Sequence, residues 1–189
     1  MISELVADMM YAEGKRRHND LGGPVEHHDK VEDDADAIAE RLATALIDRS
    51  LSVAVAESLT GGRIASRLAA APSSSEWFAG GVVCYWTDVK HRVLNVPEGP
   101  VISEQAVTAM ARHVATLMGT DTAVAASGAG GPERQEGQEP GTTWIAACVR
   151  DEVVTELHHF DGEPLDVLAR TEERVLLLLE RELDRIRWE

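Results

Sequence analysis

From Ser52 onward, short apolar runs alternate with amphipathic ones, and two of the apolar runs end in glycine-rich turns. That alternation restricts the fold more than any other feature. A run too short for a helix and apolar on both sides is a strand buried on both faces, and helices must then cover those faces. Ser52 to Ser58 reads as such a strand, followed by a helix from about Gly61 to Ala71 that Pro72 closes. Gly80 to Tyr85 is a second strand, Ser103 to Met118 a helix with Ser103 as its N-cap, and Thr122 to Ser127 a third strand. Thr142 to Val149 and Val153 to Phe160 form a hairpin across Arg150-Asp151-Glu152. A last helix runs from about Pro164 to Arg187, with Leu165, Leu168, Val175, Leu176, Leu179, Leu183 and Ile186 on its inner side. Strands interleaved with helices, plus one antiparallel hairpin, predict a three-layer α/β/α domain with a mixed sheet. In sheets of this kind ligands gather beyond the carboxyl ends of the strands.

The part before Ser52 differs. Residues 1–34 read as a polar, acidic extension with a basic cluster at Lys15-Arg16-Arg17 and a linker signal at Gly22-Gly23-Pro24; residues 35–189 read as the domain. Seven acids stand between Glu26 and Glu40 against one lysine, Lys30, and complement the start of a helix running from near Val31 to Arg49. Ile38, Leu42 and Leu46 give that helix its buried stripe. His27-His28-Asp29 reads as solvated linker rather than metal site, since no second ligand pair has matching spacing.

A net charge of −15 over 189 residues excludes polyanions as partners, so neither nucleic acid nor an anionic membrane is expected. No stretch reaches the ~18 apolar residues of a membrane span. The N-terminus lacks a basic segment followed by an apolar core, and Cys84 and Cys148 sit inside apolar runs as buried thiols. The expected setting is the cytoplasm, and any bound phosphate has to be held locally. Such a place exists: between Ser58 and Tyr85 the single acid is Glu76, against Arg63 and Arg67.

The turn Glu57-Ser58-Leu59-Thr60-Gly61-Gly62 brings two hydroxyls and a helix N-terminus to a strand end. Free N–H groups there can hold a phosphate or the oxyanion of an attacked carbonyl; alternatively Ser58 or Thr60 is merely the N-cap of the helix. The second strand delivers Tyr85 to its carboxyl end, and Lys90 follows. A lysine desolvated there, near Arg63 or Arg92, loses basicity and can serve as a general base; a lone lysine after a strand is otherwise a solvated surface residue.

Taken together, Ala56-Glu57-Ser58-Leu59-Thr60-Gly61-Gly62, Gly80-Gly81-Val82-Val83 with Tyr85 and Lys90, Ser103-Glu104, Ser127-Gly128-Ala129-Gly130-Gly131-Pro132 and Gly141-Thr142-Thr143-Trp144-Ile145-Ala146 resemble the CinA C-terminal domain family, in order and in spacing, over about residues 35 to 187. The resemblance implies hydrolysis of the carboxamide of nicotinamide mononucleotide to nicotinate mononucleotide and ammonia. It implies Ser58 as nucleophile, Lys90 as its base and Tyr85 as a further catalytic residue. Thr60, Gly61, Gly62, Ser127, Gly128, Gly130 and Gly131 are the expected substrate-binding residues. No cofactor and no metal are implied. Leu59 stands where the family has cysteine, and Glu133 to Pro140 is an acidic loop where the family has a glycine pair and a Lys-Pro-Val. That loop keeps open the same serine chemistry on another amide, and a silent nucleotide-binding or interaction module of the same fold is the other alternative. Members of the family are commonly dimeric, and the apolar run Val175 to Leu179 suits a shared helix face as well as the protein's own core.

Overall fold

In the computed structural model, residues 26–186 are described, with side chains from Asp34 onward; the basic cluster and the Gly-Gly-Pro signal lie outside the described residues. The elements follow in the order α1 (Glu26–Asp48), β1 (Val53–Glu57), α2 (Arg63–Ala70), α3 (Ser74–Trp77), β2 (Phe78–Val83), α4 (Thr87–Leu94), α5 (Glu104–Met118), β3 (Thr122–Gly128), β4 (Thr142–Val149), β5 (Glu152–His159) and α6 (Pro164–Arg185). The five strands form one sheet in the order β2-β1-β3-β4-β5. β1 is parallel to both β2 and β3, whereas β3-β4 and β4-β5 are antiparallel. The sheet is therefore mixed, with helices on both faces, as the alternation requires.

Each central strand divides its side chains between two cores. Val53 and Val55 of β1 join Val124, Ala126, Ile145 and Ala147 on one face, beneath Leu42 and Leu46 of α1, Ile64 and Leu68 of α2, and Leu176, Leu179 and Leu183 of α6. Ala54, Ala56, Ala123, Ala125 and Ala146 point the other way and meet Val107, Met110, Ala111 and Val114 of α5. Alanines on that face let α5 lie close to the sheet, with Leu94 of α4 beside it. Large aliphatics on the opposite face fill the wider gap under three helices, each fully buried leucine contributing about 2–3 kcal/mol.

Several boundaries differ from the sequence reading for physical reasons. Helix α1 begins at Glu26, so His27-His28-Asp29 is helical rather than linker, and the helix runs across residues 34 and 35. β2 starts at Phe78 and ends at Val83, which leaves Tyr85 two residues past the strand. α3 and α4 were not expected from the periodicity. Arg150 and Asp151 both take positive φ (48° and 69°), giving a two-residue hairpin turn closed by the Val149–Glu152 pair. Leu165 is 60% exposed and lies off the inner face of α6. Val175, Leu176, Leu178 and Leu179 are buried in the protein's own core, and Leu177 is partly buried against it. Cys84 and Cys148 are free and buried.

Candidate active site

The carboxyl ends of β1, β2 and β3 open into a cleft of about 430 Å³. Ser58 and Leu59 line it from the β1–α2 turn, Tyr85 from beyond β2, and Gly128, Gly130, Gly131 and Pro132 from beyond β3. Glu133, Arg134 and Gln135 extend the wall, and Pro164 with Leu168 close it from the start of α6. Of the expected site residues, the cleft thus gathers Ser58, Tyr85, Gly128, Gly130 and Gly131. Thr60, Gly61, Gly62, Ser127 and Lys90 stand off its lining.

Ser58 is 6% exposed and is fixed by its backbone: its N–H donates to Ala126 O (3.0 Å) and its carbonyl accepts from Gly61 N–H (3.1 Å). Among the described residues no hydrogen bond engages its hydroxyl, which leaves the oxygen to the cleft.

The turn that follows is not open to a ligand as the sequence implied. Its donors are taken by the protein's own Glu57, which is fully buried. Glu57 Oε2 accepts from Thr60 Oγ1 (2.6 Å), Gly62 N–H (3.0 Å) and Ile64 N–H (3.2 Å), and Oε1 accepts from Ala65 N–H (2.8 Å). A carboxylate at the positive end of α2 fills the place expected for a phosphate or an oxyanion. Neither Ser58 nor Thr60 caps the helix; Gly62 occupies the N-cap position at φ 103°, a left-handed conformation that glycine adopts without penalty. Among the described residues no acceptor engages the amides of Leu59 and Thr60, which precede this cage.

Lys90 is not a solvated surface residue. It is 1% exposed on α4, and its Nζ donates to Tyr85 O (3.2 Å). Burial lowers its pKa below the ordinary lysine value, while the Glu136 carboxylate pulls it partly back up. The cause is desolvation, not the neighbouring cations expected from sequence. Arg63 and Arg67 turn instead to Glu172 of α6, whose side chain is 2% exposed, and Arg67 also meets Asp36. Arg92 donates to Asp88 O. The arginines that made this stretch look basic are neutralised inside the fold. Cys84 binds the end of β1 through two donors, its N–H (2.8 Å) and its thiol (3.4 Å), both to Glu57 O. Burial pushes that thiol up to about 11, so it stays protonated.

Tyr85 is 65% exposed and Trp86 75%, so the phenol stands at the rim of the cleft and only its carbonyl faces Lys90. Ser127 Oγ donates to Val101 O (2.6 Å), so its one donor is spent tying β3 to the approach to α5. A Cβ at Gly128 would stand 2.6 Å from Thr142 O, so that glycine is required by strand packing as well as by the cleft. In the acidic loop, Arg134 pairs with Glu139, and Glu136 Oε2 accepts from Val101 N–H (2.9 Å) and Ile102 N–H (3.0 Å). Sequence reasoning missed the inward carboxylate of Glu57 and the wall formed by Pro164 and Leu168. Pro164 at the first turn of a helix was the available signal for the latter. Among the described residues no three His, Cys, Asp or Glu side chains cluster in a way that could hold a metal ion. No helix among them is long and apolar enough to cross a membrane.

Comparison with known proteins agrees with this architecture. The family model of the CinA C-terminal domain matches residues 35–183. A competence-damage inducible protein of Desulforamulus reducens is 37% identical over 136 residues, 69% of this chain and 33% of that protein. A protein of the same name from Bacillus subtilis is 32% identical over 142 residues, 72% of this chain and 34% of that one. The chain thus spans about a third of the length of these relatives. Among solved structures, a competence-damaged protein (CinA) superfamily protein of Klebsiella pneumoniae superposes with a TM-score of 0.78 at 32% identity, covering 80% of this chain and 99% of that one. A competence/damage inducible protein from Agrobacterium tumefaciens gives 0.75 at 27%, covering 80% and 96%. On the family match and the relatives together, this chain belongs to the CinA C-terminal domain family.

Proposed function

We propose that the chain is a serine–lysine amidohydrolase that converts nicotinamide mononucleotide to nicotinate mononucleotide and ammonia. The observation that carries the reading is Lys90, a lysine withdrawn from water and lowered in pKa, anchored to the backbone of a residue that lines the same cleft as Ser58. A serine hydroxyl attacks an amide only when a base removes its proton, and a neutral amine in a dry setting is such a base. Ser58 Oγ bonds to the carboxamide carbon as its proton passes to Lys90 Nζ. The tetrahedral oxyanion meets the amides of Leu59 and Thr60, and collapse breaks the C–N bond as Lys90 returns the proton to the departing ammonia. Water, deprotonated by Lys90, then cleaves the Ser58 ester and restores the hydroxyl. For this cycle Nζ must leave the Tyr85 carbonyl and turn to Ser58 once substrate fills the cleft. The glycine amides beyond β3 offer the mononucleotide its anion contacts.

Ammonia release from nicotinamide mononucleotide, followed by a coupled assay, tests the reading. Ser58→Ala is expected to lower kcat by about 10³-fold or more, and Lys90→Ala by about 10²–10⁴-fold. Full turnover in Ser58→Ala would sink the mechanism.

One observation favours a second reading, the same chemistry on a different amide. Arg134, the cation of the cleft wall, is paired with Glu139, and Glu133 stands beside it, so this wall offers a phosphate little net charge. If that reading is right, an uncharged or cationic carboxamide is hydrolysed with a higher kcat/KM than the mononucleotide.

A further inference from the structure

We infer that Glu57 is the positioning residue of the nucleophile turn: its buried carboxylate, gathering four donors from Thr60, Gly62, Ile64 and Ala65, sets where Ser58 and its following amides point. The inference rests on the serine chemistry proposed above. The geometry behind it is specific. Glu57 immediately precedes Ser58, is fully buried, and closes a ring with Thr60 Oγ1, Gly62 N–H, Ile64 N–H and Ala65 N–H. Its own carbonyl is held by the Cys84 N–H and thiol. Both ends of the residue next to the nucleophile are thus tied, one to the start of α2 and the other to the segment leading to Lys90.

Chemically, the carboxylate does two things. As an internal anion it saturates the start of α2, so a substrate anion cannot settle there and must bind beyond β3. As a four-point acceptor it forbids rotation of the Ser58-Leu59-Thr60 segment about the end of β1. Displacement of a reacting group by about 1 Å can cost on the order of 10²-fold in rate. Glu57→Gln keeps the shape and volume but replaces one acceptor oxygen with an NH2. Whichever way the amide faces, at least one backbone N–H then meets a donor in place of an acceptor.

The experiment compares wild type, Glu57→Gln and Thr60→Val at a temperature where circular dichroism shows each folded. Two rates are measured: turnover of nicotinamide mononucleotide per titrated serine, and labelling of Ser58 by a fluorophosphonate, which forms an O–P bond with loss of fluoride. For Glu57→Gln, kcat is expected to fall about 10- to 100-fold with KM within about twofold, and labelling to slow in proportion. Thr60→Val, which removes one donor and leaves the carboxylate, is expected to lose about 3- to 10-fold in kcat. A purely structural Glu57 would instead lower the folded fraction and leave kcat per titrated serine intact; that result, in Glu57→Gln or, if that variant does not fold, in Thr60→Val, overturns the inference. Wild type that labels rapidly yet leaves the mononucleotide intact refutes the substrate, not the positioning role, which the labelling rates then decide. Wild type that neither labels nor turns over refutes the serine chemistry and the inference with it.

Discussion

Lys90 carries a cost that can be measured apart from any activity. Its pKa is lowered by burial, so between that lowered value and the ordinary lysine value of 10.5 the unfolded chain binds more protons than the folded one. Stability therefore rises with pH through that window, and below it the folded protein bears the full penalty of burying an ammonium. Lys90→Met, similar in length and without charge, is expected to raise the thermal midpoint by a few degrees at neutral pH. The gain should shrink as pH climbs toward 10.5. Differential scanning calorimetry of both proteins across that range checks it, and a gain that grows with pH would contradict the assignment. A group that lowers stability where the protein works fits a role in chemistry better than one in packing.

At the scale of elements, β1 and β2 meet through a glycine. Gly81 pairs with Val55, and a Cβ there would stand 2.7 Å from Val55 O and overlap the valine side chain. Gly81→Ala is expected to destabilise the protein by about 2–3 kcal/mol, read as a shift in the urea midpoint. Gly61→Ala is not the corresponding control, because its φ of 60° adds backbone strain of its own. The same region explains what could and could not be read from sequence. β1, β3 and β4 were legible because their runs are apolar and β-branched or small, β5 because the β-branched Val153, Val154 and Thr155 follow a short polar turn, and α5 because Ser103 Oγ does accept from Ala106 N–H, as its N-cap position implied. α4 was not legible, since one of its two buried positions is a lysine, which breaks the apolar spacing that marks an amphipathic helix. β2 was misplaced because Gly80 and Gly81, read as a strand start, lie within a strand: Gly81 serves close approach to β1, and Gly80 takes a φ of 124° with open space around it. The candidate cleft was legible as a place, from glycine-rich strand ends. Its electrostatics were not, because a carboxylate such as Glu57 turning inward, or Arg63 and Arg67 turning to Glu172, depends on contacts with distant segments.

For the whole molecule, the net charge of −15 had suggested a locally non-acidic site within an acidic protein. The fold changes that picture: the buried acids Glu57, Glu172 and Glu182 are each paired, with helix amides or with arginines, and the other acids among the described residues are at least partly exposed. The sheet order has a kinetic consequence. β3, β4 and β5 join in sequence order by antiparallel pairing, and β4 and β5 need only a two-residue turn to meet. β1 must find β3 across the whole of α2 to α5, with Val53 opposite Thr122. Local contacts form at lower entropic cost than distant ones, so a β4–β5 substitution such as Val154→Ala is expected to slow refolding, whereas Val55→Ala chiefly speeds unfolding. Stopped-flow refolding and unfolding in urea separate the two limbs. Because the cleft straddles the β1–β3 seam, it lies at the late-forming join, and amide exchange at Ser58 and Gly128 should then report opening before the hairpin loses protection.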